Sequence, residues 1–173
     1  TGITGDDFPA KQSQVSSLSV GSGGISTVVG VAPTITTGTE TSGTYLNTQQ
    51  LDGVVNTIED VANTTDFYYE FDIGTNSIST SITWNGYVNN IGSSFAIYQY
   101  NWDGVVWDQI GEISGQSGSS VGEIQFITTV AATGSGANNG KVRIRFLSTD
   151  AASINTDRFL CEDTSIIESF ILH

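Results

Sequence analysis

Apolar and polar residues alternate with a period of two over much of the chain after residue 65. In DFYYEFDIG (residues 66–74) every second side chain is apolar, and the side chains between them are mostly acidic. The runs ISTSITWNGYV, GEIQFITTV and KVRIRFL show the same period, which is typical of strands with one buried face. The inward-facing positions predict a core that contains Phe67, Tyr69, Phe71, Ile82, Trp84, Ile97, Trp107, Ile124, Phe126, Val142, Ile144 and Phe146.

Turn-forming residues separate these runs. Clusters of Gly, Ser and Asn such as GTNS, SGQSGSSVG and TGSGANNG interrupt them, and Asp103-Gly104 lies between SFAIYQYNW and VVWDQIGEI. The Asp-Gly pair predicts a two-residue hairpin, because both residues tolerate positive φ. DRFLCED and SIIESFIL are predicted to be the closing strands. Many short strands with glycine-rich turns predict an all-β, two-sheet antiparallel sandwich.

One window permits two interpretations. In TQQLDGVVNTIEDV, the residues Leu51, Val54, Val55 and Ile58 have the spacing of one helix face. A central glycine and several β-branched residues disfavour a helix. We therefore expect a turn at Asp52-Gly53 followed by a strand.

The first part of the chain differs in composition from the rest. Residues 12–44 are rich in Ser, Thr and Gly and contain short β-branched clusters. Such a composition fits either a flexible linker or an extended segment held by a neighbour, and we expect the second. The predicted organisation is an extended arm or edge strands over residues 1–43, followed by a β-sandwich over residues 44–173.

Composition and charge exclude several classes of partner. Only 13% of residues are charged, so Ser, Thr, Asn, Gln and Gly cover much of the surface, as in many extracellular or particle-bound β proteins. Eighteen acids against five bases give a formal charge of −13. This charge argues against nucleic acid as a partner, since phosphate contacts need clustered Lys and Arg, and it disfavours anionic membranes. No run of about 18 apolar residues predicts a membrane span.

The side chains needed for most enzyme chemistry are missing from the sequence. The only histidine is His173, so a Ser-His-Asp triad has no imidazole at a usable position. The single cysteine, Cys161, lacks a base and a disulfide partner within the chain, and we expect it to be a buried thiol. Zinc patterns and phosphate-binding glycine loops are absent from the sequence. These observations predict a protein that is not an enzyme.

Paired carboxylates are the remaining candidates for catalysis or ion binding. Glu70 and Asp72 share a strand face, and Asp103 and Asp108 flank the predicted hairpin. A glycosidase needs only two such acids, but acids on the polar face of a strand are most often solvated, so no catalytic residue is assigned. Oxygen ligands also suit a structural calcium ion, yet no calcium-binding loop motif occurs and no ligand is assigned. The two arginines of KVRIRFL are expected to pair with acidic neighbouring strands rather than bind an anion.

The aromatic residues before the hairpin permit two interpretations. Tyr98, Tyr100 and Trp102 share one face of the run SFAIYQYNW. In the first interpretation Tyr98 and Tyr100 pack on the second sheet or on another subunit, and Trp102 closes one end of the core. In the second, the three side chains and Asp103 form an exposed platform on which sugar rings stack. The second makes Tyr98, Tyr100, Trp102 and Asp103 the candidate glycan-binding residues.

Four segments in this order resemble a known family. They are TYLNTQQLDGVVNTIED, then DFYYEFDIG with SITWNGYV, then FAIYQYNWDGVVWDQIGEI, then GKVRIRFLSTDAASINTDRFLCED. Together they resemble the galactose-binding-like jelly-roll modules of bacteriophage structural proteins, over residues 44 to 165. The same jelly roll also serves carbohydrate-binding modules, so the resemblance implies a fold more strongly than a role.

The resemblance implies a jelly-roll β-sandwich and two alternative functions. The first is a structural virion protein, a capsid decoration or a head-fibre or tail-fibre module, that assembles through its arm and one sheet face. As partners it would have copies of itself, as a homo-oligomer, or other virion proteins, and it would be found in the virion or outside the cell. The alternative is a carbohydrate-binding or adhesion module that recognises a surface glycan.

Overall fold

The computed structural model describes residues 25–29 and 32–166, which contain eleven strands and three short 3-10 turns. The strands are β1 (Ile25–Val29), β2 (Thr34–Thr37), β3 (Thr39–Ser42), β4 (Asn56–Glu59), β5 (Thr65–Asp72), β6 (Ser77–Val88), β7 (Ser94–Asn101), β8 (Val106–Ser114), β9 (Gly122–Ile127), β10 (Lys141–Ser148) and β11 (Ile154–Ser165). The 3-10 turns are Tyr45–Thr48, Val130–Ala132 and Gly136–Asn138. Within the described ranges no helix is long and apolar enough to cross a membrane.

The strands form two antiparallel sheets packed face to face. One sheet has the order β3-β4-β11-β6-β9, with β1 also paired to β11, and the other has the order β2-β5-β10-β7-β8. The central pairs, β11 with β6 and β10 with β5, are long and antiparallel. Most strands that follow each other in the chain, such as β5 and β6, lie in different sheets, whereas β3 with β4 and β7 with β8 pair within one sheet. The predicted two-sheet antiparallel jelly-roll sandwich is confirmed.

The core lies between the sheets, because every second residue of each strand points inward. Phe67 stacks on Phe146 with ring centroids 5.0 Å apart, and Phe159 of the opposite sheet packs 5.2 Å from Phe146. Of the twelve predicted core residues all but Ile124 and Trp107 are buried. Ile124 is partly buried and packs against the core, whereas Trp107 does not belong to it.

Trp107 lies on the outer face of its sheet because β8 contains a bulge. Counting by twos from the buried end of β8 places Trp107 on the inner face, which is why the sequence predicts it in the core. The register with β7 shifts by one residue at Ile110, which lies unpaired between Gln109 and Gly111. Beyond a bulge the alternation of side chains inverts, and Trp107 pairs with Tyr100 on the outer face.

The window with two interpretations forms a turn followed by a strand, as predicted. Gly53 adopts φ +82°, which ends any regular element at Asp52-Gly53, and β4 follows. The buried carboxylate of Asp157 accepts hydrogen bonds from the backbone N–H groups of Asp52 at 3.2 Å and Gly53 at 3.1 Å. This contact fixes the turn against β11. It also gives the Asp157 carboxylate hydrogen-bond partners, which a buried carboxylate needs.

The predicted arm and the last predicted strand fall partly outside the described residues. Residues 1–24, 30 and 31 of the arm and residues 167–173, which include most of SIIESFIL, are not described. In the rest of the predicted arm, β1 pairs with β11, β2 with β5 and β3 with β4. These strands extend both sheets, and the division of the chain at residue 43 stays a prediction.

Candidate functional site

The outer face of the five-stranded sheet carries half-buried aromatic side chains. In β7, Phe95 and Ile97 are buried, whereas Tyr98 and Tyr100 are half-buried on the side away from the core, and Trp102 follows the strand. Packing of Tyr98 and Tyr100 on the second sheet is therefore wrong, and their packing on another subunit stays a prediction. These side chains lie where an external ligand can reach them.

Neighbouring strands add further rings to this surface. We use the term aromatic face for the side chains Tyr68, Tyr98, Tyr100, Trp102 and Trp107 with Arg143 and Arg145. The ring of Trp107 lies 5.1 Å from that of Tyr100 and 5.9 Å from that of Tyr68, and Tyr100 lies 4.9 Å from Trp102, all between centroids. These pairs meet edge to face or at a tilt, as aromatic pairs prefer. An aromatic band thus crosses the sheet from β5 to β8.

Two arginines of β10 lie among these rings. The guanidinium carbon of Arg143 lies 4.9 Å from the ring centroid of Trp102 and 5.8 Å from that of Tyr100. That of Arg145 lies 5.6 Å from the Trp107 centroid. A guanidinium within about 6 Å of an aromatic centroid is attracted to the ring face. The arginines therefore hold the rings in place and bring N–H donors to the aromatic face.

A ladder of ion pairs joins β10 to β5 beside the rings. The Nε atom of Arg143 lies 2.6 Å from Oε2 of Glu70, and Arg145 binds Asp66 through Nε at 2.7 Å and Nη2 at 2.8 Å. The hydrogen bond that Arg145 donates to Asp66 raises the pKa of Arg145. The predicted pairing of the two arginines with acidic neighbours is confirmed. Glu70, one of the candidate catalytic acids, is thus bound to a cation.

The ladder continues at the sheet end with the second of these acids. The Nζ atom of Lys141 lies 2.7 Å from Oδ2 of Asp72. The hydrogen bond from Lys141 holds the pKa of the Asp72 carboxyl below its usual value, and the same contact raises the pKa of Lys141. The ladder contains three cations and three anions, so its own charges balance.

The loop after β7 places Trp102 and differs from the predicted hairpin. β7 and β8 enclose four residues, with the positive φ of 56° at Val105 and not at Asp103-Gly104. The side-chain oxygen of Asn101 accepts the N–H of Gly104 at 2.8 Å, so the turn is set by Asn101. Asp103 is exposed at the tip. The structure brings Tyr98, Tyr100 and Trp102 together and leaves Asp103 outside the aromatic face.

Trp102 is held from two sides. Its backbone N–H donates to the carbonyl of Ala131 at 2.9 Å, and its indole Nε1–H donates to the carbonyl of Ala132 at 3.1 Å. Both acceptors lie in the 3-10 turn Val130–Ala132, which follows β9 in the other sheet. The ring is therefore preorganised, which lowers the entropic cost of binding a ligand.

A shallow depression continues the aromatic face past Tyr98. It has a volume of about 190 Å³ and lies between the start of β7 and the end of β10, with Tyr98, Ala96, Leu147 and Asp150 in its wall. The carboxylate of Asp150 accepts the N–H of Ser94 at 3.1 Å and so closes its far end. A ligand on the rings would find polar groups there.

Sequence reasoning missed Tyr68, Trp107, Arg143 and Arg145 as site residues. Tyr68 is the one aromatic residue on the acidic face of DFYYEFDIG, and the two arginines alternate along the neighbouring strand. An aromatic side chain on the polar side of a strand is a usable signal, because it is not needed for the core. For Trp107 no such signal exists, since the bulge at Ile110 decides its side.

The single cysteine and the single histidine add no reactive group to the described surface. Cys161 is buried, as predicted, and burial raises the pKa of its thiol to about 12. His173 lies outside the described residues. No group of three or more His, Cys, Asp or Glu side chains in the described ranges has the arrangement of a metal site.

The chain is similar to known proteins in structure but not detectably in sequence. No family model matches the chain, and no curated protein matches it. Among solved structures, a mutant of a carbohydrate-binding module of family 29 aligns with a TM-score of 0.56 at 9% identity, covering 86% of this chain and 98% of that chain. The family 29 module CBM29_1 from Piromyces equi aligns with a TM-score of 0.51 at 10% identity, covering 87% and 97%.

A mutant of the module CBM29-2 gives a similar alignment, with a TM-score of 0.53 at 11% identity over 86% of this chain and 98% of that chain. At these identities the likeness shows the fold alone. The chain thus has the jelly-roll fold of carbohydrate-binding modules of family 29.

Proposed function

We propose that the chain is a non-catalytic carbohydrate-binding module that binds a polysaccharide on the aromatic face. The observation that carries the proposal is the band of five half-buried rings on one sheet face, braced by two arginines. Large exposed aromatic patches on a soluble protein mark binding surfaces. The similar solved structures, which are named as carbohydrate-binding modules, support the same proposal.

The chemistry of the aromatic face suits sugar rings. The apolar face of a pyranose stacks on an aromatic ring, while its hydroxyl groups at the edge need donors and acceptors. Arg143 uses Nε for Glu70, and its Nη groups donate to no described residue. These N–H groups are free for hydroxyl oxygens beside Trp102. Because the cations and anions of the ladder balance each other, a neutral polysaccharide fits better than an anionic one.

The role of structural virion protein stays a prediction, together with a homo-oligomeric state and a virion or extracellular location. That role depends on an arm that anchors the chain to a particle, and residues 1–24 of the arm lie outside the described residues. Removing residues 1–24 tests it, since a virion protein that assembles through this arm would lose incorporation while the sandwich stays folded.

Calorimetric titration with soluble polysaccharides, both neutral and anionic, tests the proposal. For the polysaccharide that binds, Trp102→Ala and Trp107→Ala should each weaken affinity about tenfold or more, which is about 1.4 kcal/mol. Tyr45→Ala is the control, because Tyr45 is a half-buried tyrosine of the 3-10 turn Tyr45–Thr48, away from the aromatic face. No binding to any polysaccharide, or equal losses in all three variants, would overturn the proposal.

A further inference from the structure

A second candidate site, shallow and open to solvent, lies away from the aromatic face at one end of the sandwich. It has a volume of about 560 Å³ and is formed by the β6–β7 connection, residues 89–93, and the β8–β9 connection, residues 115–121. We call it the loop pocket. Its wall contains Tyr87, Ile91 and a set of amide and hydroxyl side chains, and none of its lining residues is charged. The volume is in the range of small-molecule sites.

The two loops of the loop pocket are bound to each other through the backbone. The N–H of Gln116 donates to the carbonyl of Val88 at 2.9 Å, and that of Gly115 donates to the carbonyl of Ser93 at 2.8 Å. A Cβ atom at Gly115 would collide with the carbonyl oxygen of Asn90, so the loops approach as closely as glycine permits. The loop pocket is therefore preformed, which spares a ligand the cost of ordering it.

Three amide side chains present oxygen acceptors in the wall of the loop pocket. The amide nitrogens of Asn89, Asn90 and Gln116 donate to Ser153 Oγ at 2.9 Å, to the Ala151 carbonyl and to the Ser120 carbonyl at 2.6 Å, respectively. Each amide group is thereby oriented, and its oxygen accepts no hydrogen bond from any described residue. Each nitrogen also keeps a second N–H. Amide groups that offer both donors and acceptors match hydroxyl groups, which also donate and accept.

Apolar surface completes the loop pocket. Tyr87 contributes a half-buried ring, and Ile91 stands at the mouth with 77% of its surface exposed. An apolar molecule would leave the amides unpaired, and an anion would find no lining base on a chain of charge −13. A small, neutral, polyhydroxylated ring satisfies both parts of the wall.

We propose that the loop pocket binds a single neutral sugar residue, a hexose, as a site separate from the aromatic face. The two sites share no residue, and Tyr87 belongs to β6 of the six-stranded sheet. The loop pocket therefore binds a free hexose whether or not the aromatic face binds a polysaccharide. If one of the two sites binds no sugar, the proposal for the other site still stands.

Heteronuclear NMR titration of the full chain with D-glucose, D-galactose and D-mannose, each alone, tests this site. At least one hexose should shift the backbone amide signals of residues 87–91 and 116–119. Tyr87→Ala should weaken the affinity for that hexose about tenfold or more. Ile91→Ala should weaken this affinity about threefold, and misfolding is not expected because Ile91 is exposed. The amide spectrum of each variant also shows whether it is folded.

Two matched controls locate the effect. Tyr45→Ala removes a half-buried tyrosine that belongs to neither site, and Ile127→Ala removes an isoleucine that is 68% exposed on β9. Both should leave hexose affinity unchanged. The proposal is overturned if no hexose shifts the loop signals, if Tyr87→Ala and Ile91→Ala bind as tightly as the unmodified chain, or if Tyr45→Ala abolishes the shifts.

Discussion

The two outer faces of the sandwich differ in their aromatic content. The five-stranded sheet carries the aromatic face, whereas the six-stranded sheet carries a polar face. The polar face consists of the side chains Ser81, Thr83, Asn85, Glu123, Gln125, Arg158 and Glu162. Both sheets contribute apolar side chains to the core between them.

Hydrogen bonds on the polar face run mostly between its own residues. Ser81 donates to Glu162 at 2.5 Å, Gln125 Nε2 donates to both of these residues at 3.2 Å, and Asn85 donates to Glu123 at 3.0 Å. Hydrogen bonds formed within the protein reduce the gain from binding a ligand. On the aromatic face, the rings and the Nη groups of Arg143 can still form favourable contacts with a ligand. A surface is therefore suited to binding when its side chains are not already bonded to each other, and exposure to solvent alone is not enough.

The largest expected effect comes from the core that both faces share. Phe146 is fully buried and packs against rings from both sheets. Phe146→Ala should lower the free energy of unfolding by about 3 to 5 kcal/mol, since it leaves a cavity. Chemical denaturation measures the loss. A loss below about 1 kcal/mol would show that the sheets do not depend on one core.

Two glycines, one in each sheet, differ in the space around them. A Cβ atom on Gly111 of β8 would lie 2.5 Å from ring carbons of Phe126, whereas on Gly122 of β9 its nearest neighbour would be the Gly86 carbonyl oxygen at 3.9 Å. Gly111→Ala should therefore cost about 1 to 3 kcal/mol of unfolding free energy through overpacking. Gly122→Ala should be neutral or slightly stabilising. Equal melting temperatures for the two variants would contradict this difference.

Substituting two similar arginines, one on each outer face, distinguishes an effect on binding from an effect on stability. Arg143 on the aromatic face and Arg158 on the polar face have side chains that are 31% and 28% exposed, and each pairs with a glutamate. Replacing either by Gln should cost only about 0 to 1 kcal/mol of stability. Only Arg143→Gln should weaken polysaccharide binding, about three- to tenfold. Titration and denaturation of both variants check this, and equal affinities would argue against Arg143 as a ligand contact.

The smallest expected effect concerns the ion pair at the end of the ladder. Lys141 lowers the pKa of Asp72, so this carboxylate stabilises the folded state above its usual pKa of 3.8 and loses that contribution as the pH falls through its lowered value. The melting temperature of Asp72→Asn should thus be slightly below that of the unmodified chain at neutral pH, with the gap closing in acid.

Asp103→Asn is the control for Asp72→Asn, because Asp103 is exposed at the loop tip and forms no ion pair with a described residue. It should show no gap at neutral pH. A gap for Asp72→Asn that widens in acid would mean that the sign of the effect is wrong.

Much of the fold follows from the sequence because side chains in a strand alternate with a period of two. That period identified the inner residues of β5, β6 and β10, and Gly with Asp marked the turn before β4. It also placed Tyr98, Tyr100 and Trp102 on one side of β7. The period does not say which side is the inner one when both carry apolar or aromatic residues, as in SFAIYQYNW.

Only the tertiary structure decided where the aromatic face lies and what it contains. An unpaired Ile110 in β8 inverts the alternation, and pairing across four strands brings Trp107 to within 5.9 Å of Tyr68. A bulge depends on how two strands pair, and the sheet order depends on the whole topology. Neither is encoded in the residues near Trp107. Local periodicity therefore determined which side chains share a face, and long-range pairing determined which face is exposed and which rings meet on it.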